Sequence, residues 1–157
     1  MTSSDVTEVD AGPRKVARSI EVPAPPSEIF ALIANPHRHH ELDGSGTVKD
    51  KVKGPEKLSE GDSFTVSMTQ YGLPYKIKSR AVEVVDEPGH AVVAWKHPMG
   101  HVWRWEMRQT GEGQTQVTET FDYSTAKAPK ILEIAGFPKK NGQGISKTLE
   151  NLRNRFA

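Results

Sequence analysis

Glu119 is the ionisable residue of this sequence best placed for chemistry, because it falls on the apolar side of an alternating segment. Residues 115–123 alternate as a strand does, and Glu119 shares its side with Val117 and Phe121. A carboxyl group on an apolar face loses solvation, so we expect its pKa to rise. Such a group acts as a general acid or base, or anchors a ligand hydroxyl. The alternative is a strand bulge that turns Glu119 toward water.

Large apolar side chains recur on the same side of the neighbouring predicted strands. They are Phe64, Val66, Met68, Tyr75, Ile77, Trp95, Trp103, Trp105, Met107, Phe121 and Tyr123. This face either lines a pocket for an apolar or aromatic ligand or forms an ordinary core. The polar residues expected to accompany Glu119 there are Gln70, Ser79, His97 and Tyr123.

A short segment is rich in metal-ligating residue types, namely His37, His39, His40, Glu41 and Asp43. A metal site needs neutral imidazoles that converge and a supporting shell around them. The alternative, which we favour, is a solvated helix that borders the pocket entrance, and we predict no metal and no cofactor. His90 and His101 fall in predicted turns, and we expect them to be exposed.

The elements that position these residues follow an α+β plan. We predict a strand at residues 16–22, short helices at 27–33 and 37–42, and about six strands between 47 and 123. A helical turn at 130–135 and a helix at 144–157 complete the chain. Short, turn-rich connections make consecutive strands antiparallel neighbours. Residues 47–53 are polar and predict an edge strand.

Strand registers follow from keeping the apolar face consistent. We predict that His97 pairs with Trp103, which places Trp95 opposite Trp105. In the next hairpin Met107 pairs with Val117, which places Trp105 opposite Glu119. The alternation slips near residues 82–84, which predicts a bulge.

The last segment is an amphipathic helix. Its apolar residues Ile145, Leu149, Leu152 and Phe156 are spaced by 4, 3 and 4 positions, so they share one stripe. We expect Leu152 and Phe156 to fasten the helix to the sheet, and Ile145 and Leu149 to close the pocket. The glycine-rich residues 136–144 are predicted to be a flexible approach that controls access to the pocket.

Bulk composition excludes several function classes. The chain has 157 residues, 21 basic and 20 acidic side chains, and no cysteine. The charge balance argues against nucleic-acid binding, and the absence of cysteine excludes thiol catalysis and cysteine-ligated metals. No apolar run approaches the ~18 residues of a membrane span. We predict a flexible tail at residues 1–14, a single domain at residues 15–157, and a cytoplasmic location.

Two segments resemble a known family. VARSIEVPAPPSEIFALIANPHRHHEL and WRWEMRQTGEGQTQVTETFDY resemble the START-like, or SRPBCC, superfamily of the polyketide cyclase/dehydrase and lipid-transport type. The resemblance implies a helix-grip fold, in which a curved antiparallel sheet of about six to seven strands wraps a long C-terminal helix. It also implies a hydrophobic cavity between sheet and helix.

Three functions are therefore compatible with the sequence. The first is binding of a lipid-like or polyaromatic small molecule in that cavity. The second is a cyclase, dehydratase or isomerase that uses Glu119 as acid and base, aided by Tyr75, His97 or Tyr123. The third is an interaction module that works as a homodimer.

Overall fold

The computed structural model describes residues 6–157, in which eight strands form one curved, unclosed antiparallel sheet. The strands are β1 (Thr7–Val9), β2 (Lys15–Val22), β3 (Val48–Lys53), β4 (Ser63–Gln70), β5 (Leu73–Glu87), β6 (His90–Lys96), β7 (Val102–Gly111) and β8 (Gln114–Asp122). Their order across the sheet is β1-β2-β8-β7-β6-β5-β4-β3. The predicted α+β helix-grip class is confirmed, and β3 is an edge strand as expected.

Helices lie on the concave side of the sheet. They are α1 (Pro26–Ile33), a 3₁₀ helix (Pro36–Glu41), α2 (Pro129–Ile134) and α3 (Phe137–Phe156). Pro36 cannot continue α1 and holds Asn35 in an extended conformation, where its side chain accepts a hydrogen bond from the His37 N–H at 3.1 Å. This cap starts the 3₁₀ helix directly after α1.

The segment expected to be a tail is partly ordered into the sheet. Residues 7–9 form β1 and pair with β2, so that Thr7 lies opposite Ser19 and Val9 opposite Ala17. This edge strand raises the strand count above the expected six to seven. Residues 1–5 of the predicted tail lie outside the described residues.

One strand register differs from the prediction and one agrees with it. Met107 lies opposite Val117 and Trp105 opposite Glu119, as expected. In the preceding hairpin, however, Trp95 lies opposite Trp103, so the predicted pairing of Trp95 with Trp105 is wrong by two residues. An even shift keeps every side chain on the same face, so face consistency alone could not detect it. The predicted irregularity near residue 82 is present in the β5–β6 pairing.

The C-terminal helix begins earlier than predicted, at Phe137 rather than Gly144. Gly136 adopts a left-handed φ of 78°, which separates α2 from α3. Gly142 is buried where α3 crosses β2, and a Cβ there would lie 3.2 Å from Cγ1 of Val16. Residues 137–144 are therefore helical and packed, which overturns their predicted role as a flexible approach to the pocket.

The apolar stripe of α3 is buried unevenly. Ile145, Leu149 and Leu152 are fully buried, whereas Phe156 is only partly buried. Leu149 therefore anchors the helix at least as firmly as Phe156, contrary to the division of roles that we expected.

Helical glycines give a test of this longer helix. A Cβ at Gly144 would meet no atom within 4 Å, so Gly144→Ala should stabilise the protein by about 0.5–1 kcal/mol through better helix propensity. Gly142→Ala is the matched control and should gain less, because Val16 and Arg18 must move. Thermal or urea unfolding measures both. Destabilisation by Gly144→Ala would contradict a helix at this position.

Candidate functional site

The concave face of the sheet is covered unequally. The helix α3 packs on β2 and β8, and α1 packs on β6 and β7. One part of the face is buried in the core with Ile145 and Leu149 of α3, and its residues are Phe64, Val66, Trp105, Met107, Phe121 and Tyr123. On the remaining part Met68, Ile77, Trp95 and Trp103 are half-buried and Tyr75 is exposed. We call these five residues, Met68, Tyr75, Ile77, Trp95 and Trp103, the aromatic groove.

Phe121 links the two parts of the face. Its ring centroid lies 5.0 Å from that of Trp103, 5.4 Å from that of Tyr123 and 5.2 Å from that of His101. Such offset and edge contacts are favourable for aromatic rings. The floor of the groove is thus continuous with the buried core.

His39 closes one side of the groove, which the sequence did not reveal. The 3₁₀ helix stacks its ring on Trp95 at 4.8 Å and sets it edge-on to Phe64 at 6.1 Å. The Nε2–H donates to the carbonyl of Ile33 at 2.7 Å. Burial lowers the pKa of His39 to about 4, although that hydrogen bond and the charge of Asp43 oppose the shift. This imidazole is therefore neutral at pH 7.

A second histidine of the 3₁₀ helix, His37, also bonds a backbone carbonyl. His37 Nε2 bonds the carbonyl of Gly54 at 2.8 Å. Within residues 6–157, no three histidine, aspartate or glutamate side chains gather closely enough to hold a metal ion. Two histidines of the predicted cluster thus bond different backbone carbonyls, His39 that of Ile33 and His37 that of Gly54.

His97 and His101 stack on each other beside the groove, with ring centroids 4.1 Å apart. We expected His101 to be exposed, but it is half-buried against Phe121. Burial, and then the charge of His97, lower the pKa of His101 to about 4, and burial also lowers the pKa of His97. The His101 Nδ1 is buried without a hydrogen-bond partner in the described part of the chain.

Glu119 lies inside the protein, as its place on the apolar face predicted. Glu119 is only 6 % exposed, and its Oε1 has no hydrogen-bond partner among residues 6–157. Burial raises the pKa of Glu119 well above its usual range, and the negative charge of Asp43 raises it further. The bulge that would have turned this side chain toward water is absent from the β7–β8 pairing at this position.

The expected polar companions do not gather around Glu119. The Tyr123 hydroxyl donates to Oε2 of Glu133 at 2.9 Å, and the Tyr75 hydroxyl donates to Oε1 of Gln70 at 3.5 Å. Ser79 is buried on β5. Asp43, from the loop after the 3₁₀ helix, acts on Glu119 instead, and its oxygens are occupied by Ser45 and the Val48 N–H.

Two depressions lie away from this face. One of about 420 Å³ is lined by Pro25, Pro26, Ser27, Asp86, Glu87, Pro88, Gly89 and Gln109. The other, of about 300 Å³, is lined by Ala11, Lys15, Val102, Arg104, Thr120 and Asp122. Neither includes a predicted ligand-binding residue. No helix in residues 6–157 is both long enough and apolar enough to cross a membrane.

The sequence matches a family model over residues 13–157, and that model is described as polyketide cyclase / dehydrase and lipid transport. The chain belongs to this family. The predicted resemblance to the polyketide cyclase/dehydrase and lipid transport type is thus confirmed.

A sequence relative and two solved structures illustrate the likeness. The uncharacterized protein Rv0088 of Mycobacterium tuberculosis is 49% identical over 156 residues, which cover 97% of this chain and 68% of that protein. The di-domain ARO/CYC BexL from the BE-7585A biosynthetic pathway has a TM-score of 0.68 at 16% identity, covering 90% of this chain and 45% of that one. Ginseng major latex-like protein 151 from Panax ginseng has a TM-score of 0.61 at 11% identity, covering 90% and 96%. At these identities the two structures show the shared fold alone.

The buried carboxyl predicts an unusual pH dependence. Because the folded-state pKa of Glu119 is raised, the folded state is more stable when this carboxyl is protonated. The stability that this group contributes below pH 4.5 is therefore lost as pH rises toward the folded-state pKa. Glu119→Gln removes this loss. We expect the unfolding free energy of the variant, relative to wild type, to increase by about 1.4 kcal/mol per pH unit over that window.

Urea unfolding between pH 4.5 and 7.5 measures this difference, and Glu112→Gln in the exposed β7–β8 turn is the control. His39 and His101 contribute in the opposite sense, because their lowered pKa values make the folded state less stable as pH falls from 6.5 toward 4. Wild type and variant share this contribution, so comparing them at each pH cancels it. A difference that stays constant with pH would show that Glu119 is solvated.

Proposed function

We propose that this protein binds a hydrophobic small molecule, lipid-like or polyaromatic, in the aromatic groove on strands β4–β7, beside α3. The observation that carries the proposal is the pair of half-buried tryptophans, Trp95 and Trp103, on the part of the concave face that α3 leaves uncovered. Large aromatic surfaces gain most from a ligand that removes them from water. A few fixed polar groups then orient the ligand.

Charge supports an apolar ligand. The pKa values of His39 and His101 are about 4, so both imidazoles flanking the groove are neutral near pH 7. The raised pKa of Glu119 favours its protonated form, whose O–H is a hydrogen-bond donor for a ligand carbonyl or hydroxyl. Oε1 lacks a protein partner in the described residues, so a ligand oxygen reaching it would satisfy a buried polar atom.

The predicted lining divides into two depths. Met68, Tyr75, Ile77, Trp95 and Trp103 have surface that a ligand could cover without displacing another side chain. The fully packed residues Phe64, Val66, Trp105, Met107, Phe121, Tyr123, Ile145 and Leu149 would contact a ligand that enters deeper, toward Glu119. We therefore place the first contacts on the half-buried residues of β4–β7 and the deeper ones on the buried residues of the sheet and α3.

Tryptophan fluorescence tests the proposal. The purified protein is titrated with two probes, a fatty acid and a planar polycyclic phenol, and the emission change gives Kd. Trp103→Ala and Met68→Lys should each weaken the tighter probe at least about tenfold, because each removes central apolar contact. Val82→Lys, on an exposed part of β5, adds the same charge outside the groove and should leave Kd unchanged.

Circular dichroism confirms that each variant is folded before titration. Failure of both probes to bind at millimolar concentration, or equal Kd values for wild type and both groove variants, would overturn ligand binding in this groove.

The unpaired carboxyl of Glu119 favours a second candidate, an enzyme of the cyclase, dehydratase or isomerase type. The ionised form of Glu119, made a stronger base by its raised pKa, would remove the proton next to a ketone carbonyl, and the resulting acid would return it. The Tyr123 hydroxyl donates its hydrogen bond to Glu133, which favours Glu119 acting in this role without help from Tyr123. Cyclase activity would involve this step on a bound polyketone.

Proton exchange separates this enzyme from a binding protein. In D₂O an enzyme would exchange the α-protons of a groove-bound ketone, followed by NMR, and Glu119→Gln should lower the exchange rate at least about a hundredfold with Kd nearly unchanged. Exchange no faster than in buffer would leave binding as the function. A cytoplasmic location and a homodimer also remain proposals, and light scattering addresses the second.

A further inference from the structure

Exposed large apolar side chains gather at one end of the molecule. They come from the β4–β5 turn, the β6–β7 loop and α2, and they are Tyr71, Leu73, Met99, Ile131 and Ile134. Ile131 is 66% exposed and Ile134 87%, three positions apart on one side of α2. We call these five residues the apolar end surface.

Short contacts bring the three segments together. Lys140, in the first turn of α3, holds its Nζ 5.6 Å from the ring centroid of Tyr71. The backbone N–H of Lys127 donates to the carbonyl of Met99 at 2.8 Å, and Thr125 Oγ1 donates to that of Gly100 at 2.6 Å. Since α2 also packs on α3, the segments form one surface rather than three isolated projections.

Lysines surround the apolar end surface. Residues 125–142 contain Lys127, Lys130, Lys139 and Lys140, all exposed, and one acidic residue, Glu133. Within residues 6–157 no carboxylate forms an ion pair with any of these four lysines. Glu133 accepts the Tyr123 hydroxyl and lies 3.8 Å from Arg14, so its charge is engaged elsewhere.

We propose that the apolar end surface docks onto an anionic lipid bilayer. Isoleucine and aromatic side chains suit the boundary between headgroups and acyl chains, and lysines beside them attract anionic headgroups. The whole chain carries a formal charge of only +1, so its overall attraction to an anionic surface is weak. The local excess of lysine therefore selects which end of the molecule meets the membrane.

The convex face of the sheet is a weaker competitor for this role. Lys76, Lys78 and Arg80 are exposed on β5, but the basic residues of β7 form ion pairs with glutamates. Arg104 pairs with Glu83 at 3.0 Å, and Arg108 pairs with Glu106 at 2.9 Å. This face thus offers charge without a group of exposed apolar side chains, and insertion needs both.

Vesicle sedimentation of the full chain tests the proposal. The probes are phosphatidylcholine vesicles with 30% phosphatidylserine, and phosphatidylcholine vesicles alone, at about 0.15 M salt where long-range attraction is screened. We expect binding to the anionic vesicles and at least about tenfold weaker binding to the neutral ones. Lys139→Gln/Lys140→Gln should weaken binding about 25-fold, or about fivefold per lysine.

Ile131→Gln/Ile134→Gln keeps every charge and should still weaken binding at least about tenfold, because only insertion is lost. Both residues are exposed, so the variant keeps its fold, which circular dichroism verifies. Lys78→Gln/Arg80→Gln removes two charges from the convex face and should bind as wild type does.

Several outcomes would overturn the proposal. These are the absence of binding to anionic vesicles, equal weakening by the convex-face variant, and full binding by the isoleucine variant. The last two would indicate non-specific charge attraction, and the first would leave an acidic protein as the partner to seek. The groove variant Trp103→Ala should bind vesicles as wild type does, so the membrane-docking proposal is tested independently of the ligand-binding proposal.

Discussion

The packing of α3 against β2 and β8 is the contact on which the rest of the structure depends. It is close enough that a Cβ at position 142 would displace the Arg18 guanidinium and press on Val16, and it is supported by a 2.8 Å hydrogen bond from Arg18 to Ser146. Because the long helix is held at this side of the sheet, it cannot also cover β4–β7. Shorter elements cover that region incompletely, and the half-buried tryptophans are the direct result.

The ionisable groups of the concave face share one property, which is that burial favours their uncharged forms. The lowered pKa values of His39 and His101 and the raised pKa of Glu119 all follow from the cost of removing a charge from water. The convex face behaves in the opposite way, since Arg104 forms ion pairs there with Glu83 and Glu106. The sheet therefore separates an interior without net charge from an exterior rich in ions.

Patterns in the sequence predicted faces well and boundaries poorly. Alternation placed Glu119 on the same face as Trp105, because a period of two is decided by each strand alone. The start of α3 was missed because glycines lower helix propensity, while the reason for Gly142 lies in Val16 and Arg18, which are remote in the chain. The exposure of His101 was predicted wrongly for a related reason. The residue is half-buried by an edge-on contact with Phe121, and the composition of the turn does not indicate that contact. The ligand-binding roles themselves remain predictions.

The strand order has a consequence for the time course of folding. Strand β2 is made early, yet its sheet neighbours are β1 and β8, and the Ser19 and Thr118 hydroxyls that meet at 2.6 Å are 99 residues apart in the chain. Hairpins β4 to β8 close over short loops, so they can form quickly, whereas the β2–β8 pairing must close a long loop at a large entropic cost. During synthesis on the ribosome, β2 cannot pair with β8 until nearly the whole domain has been made. Refolding should accordingly be limited by this late pairing rather than by the hairpins.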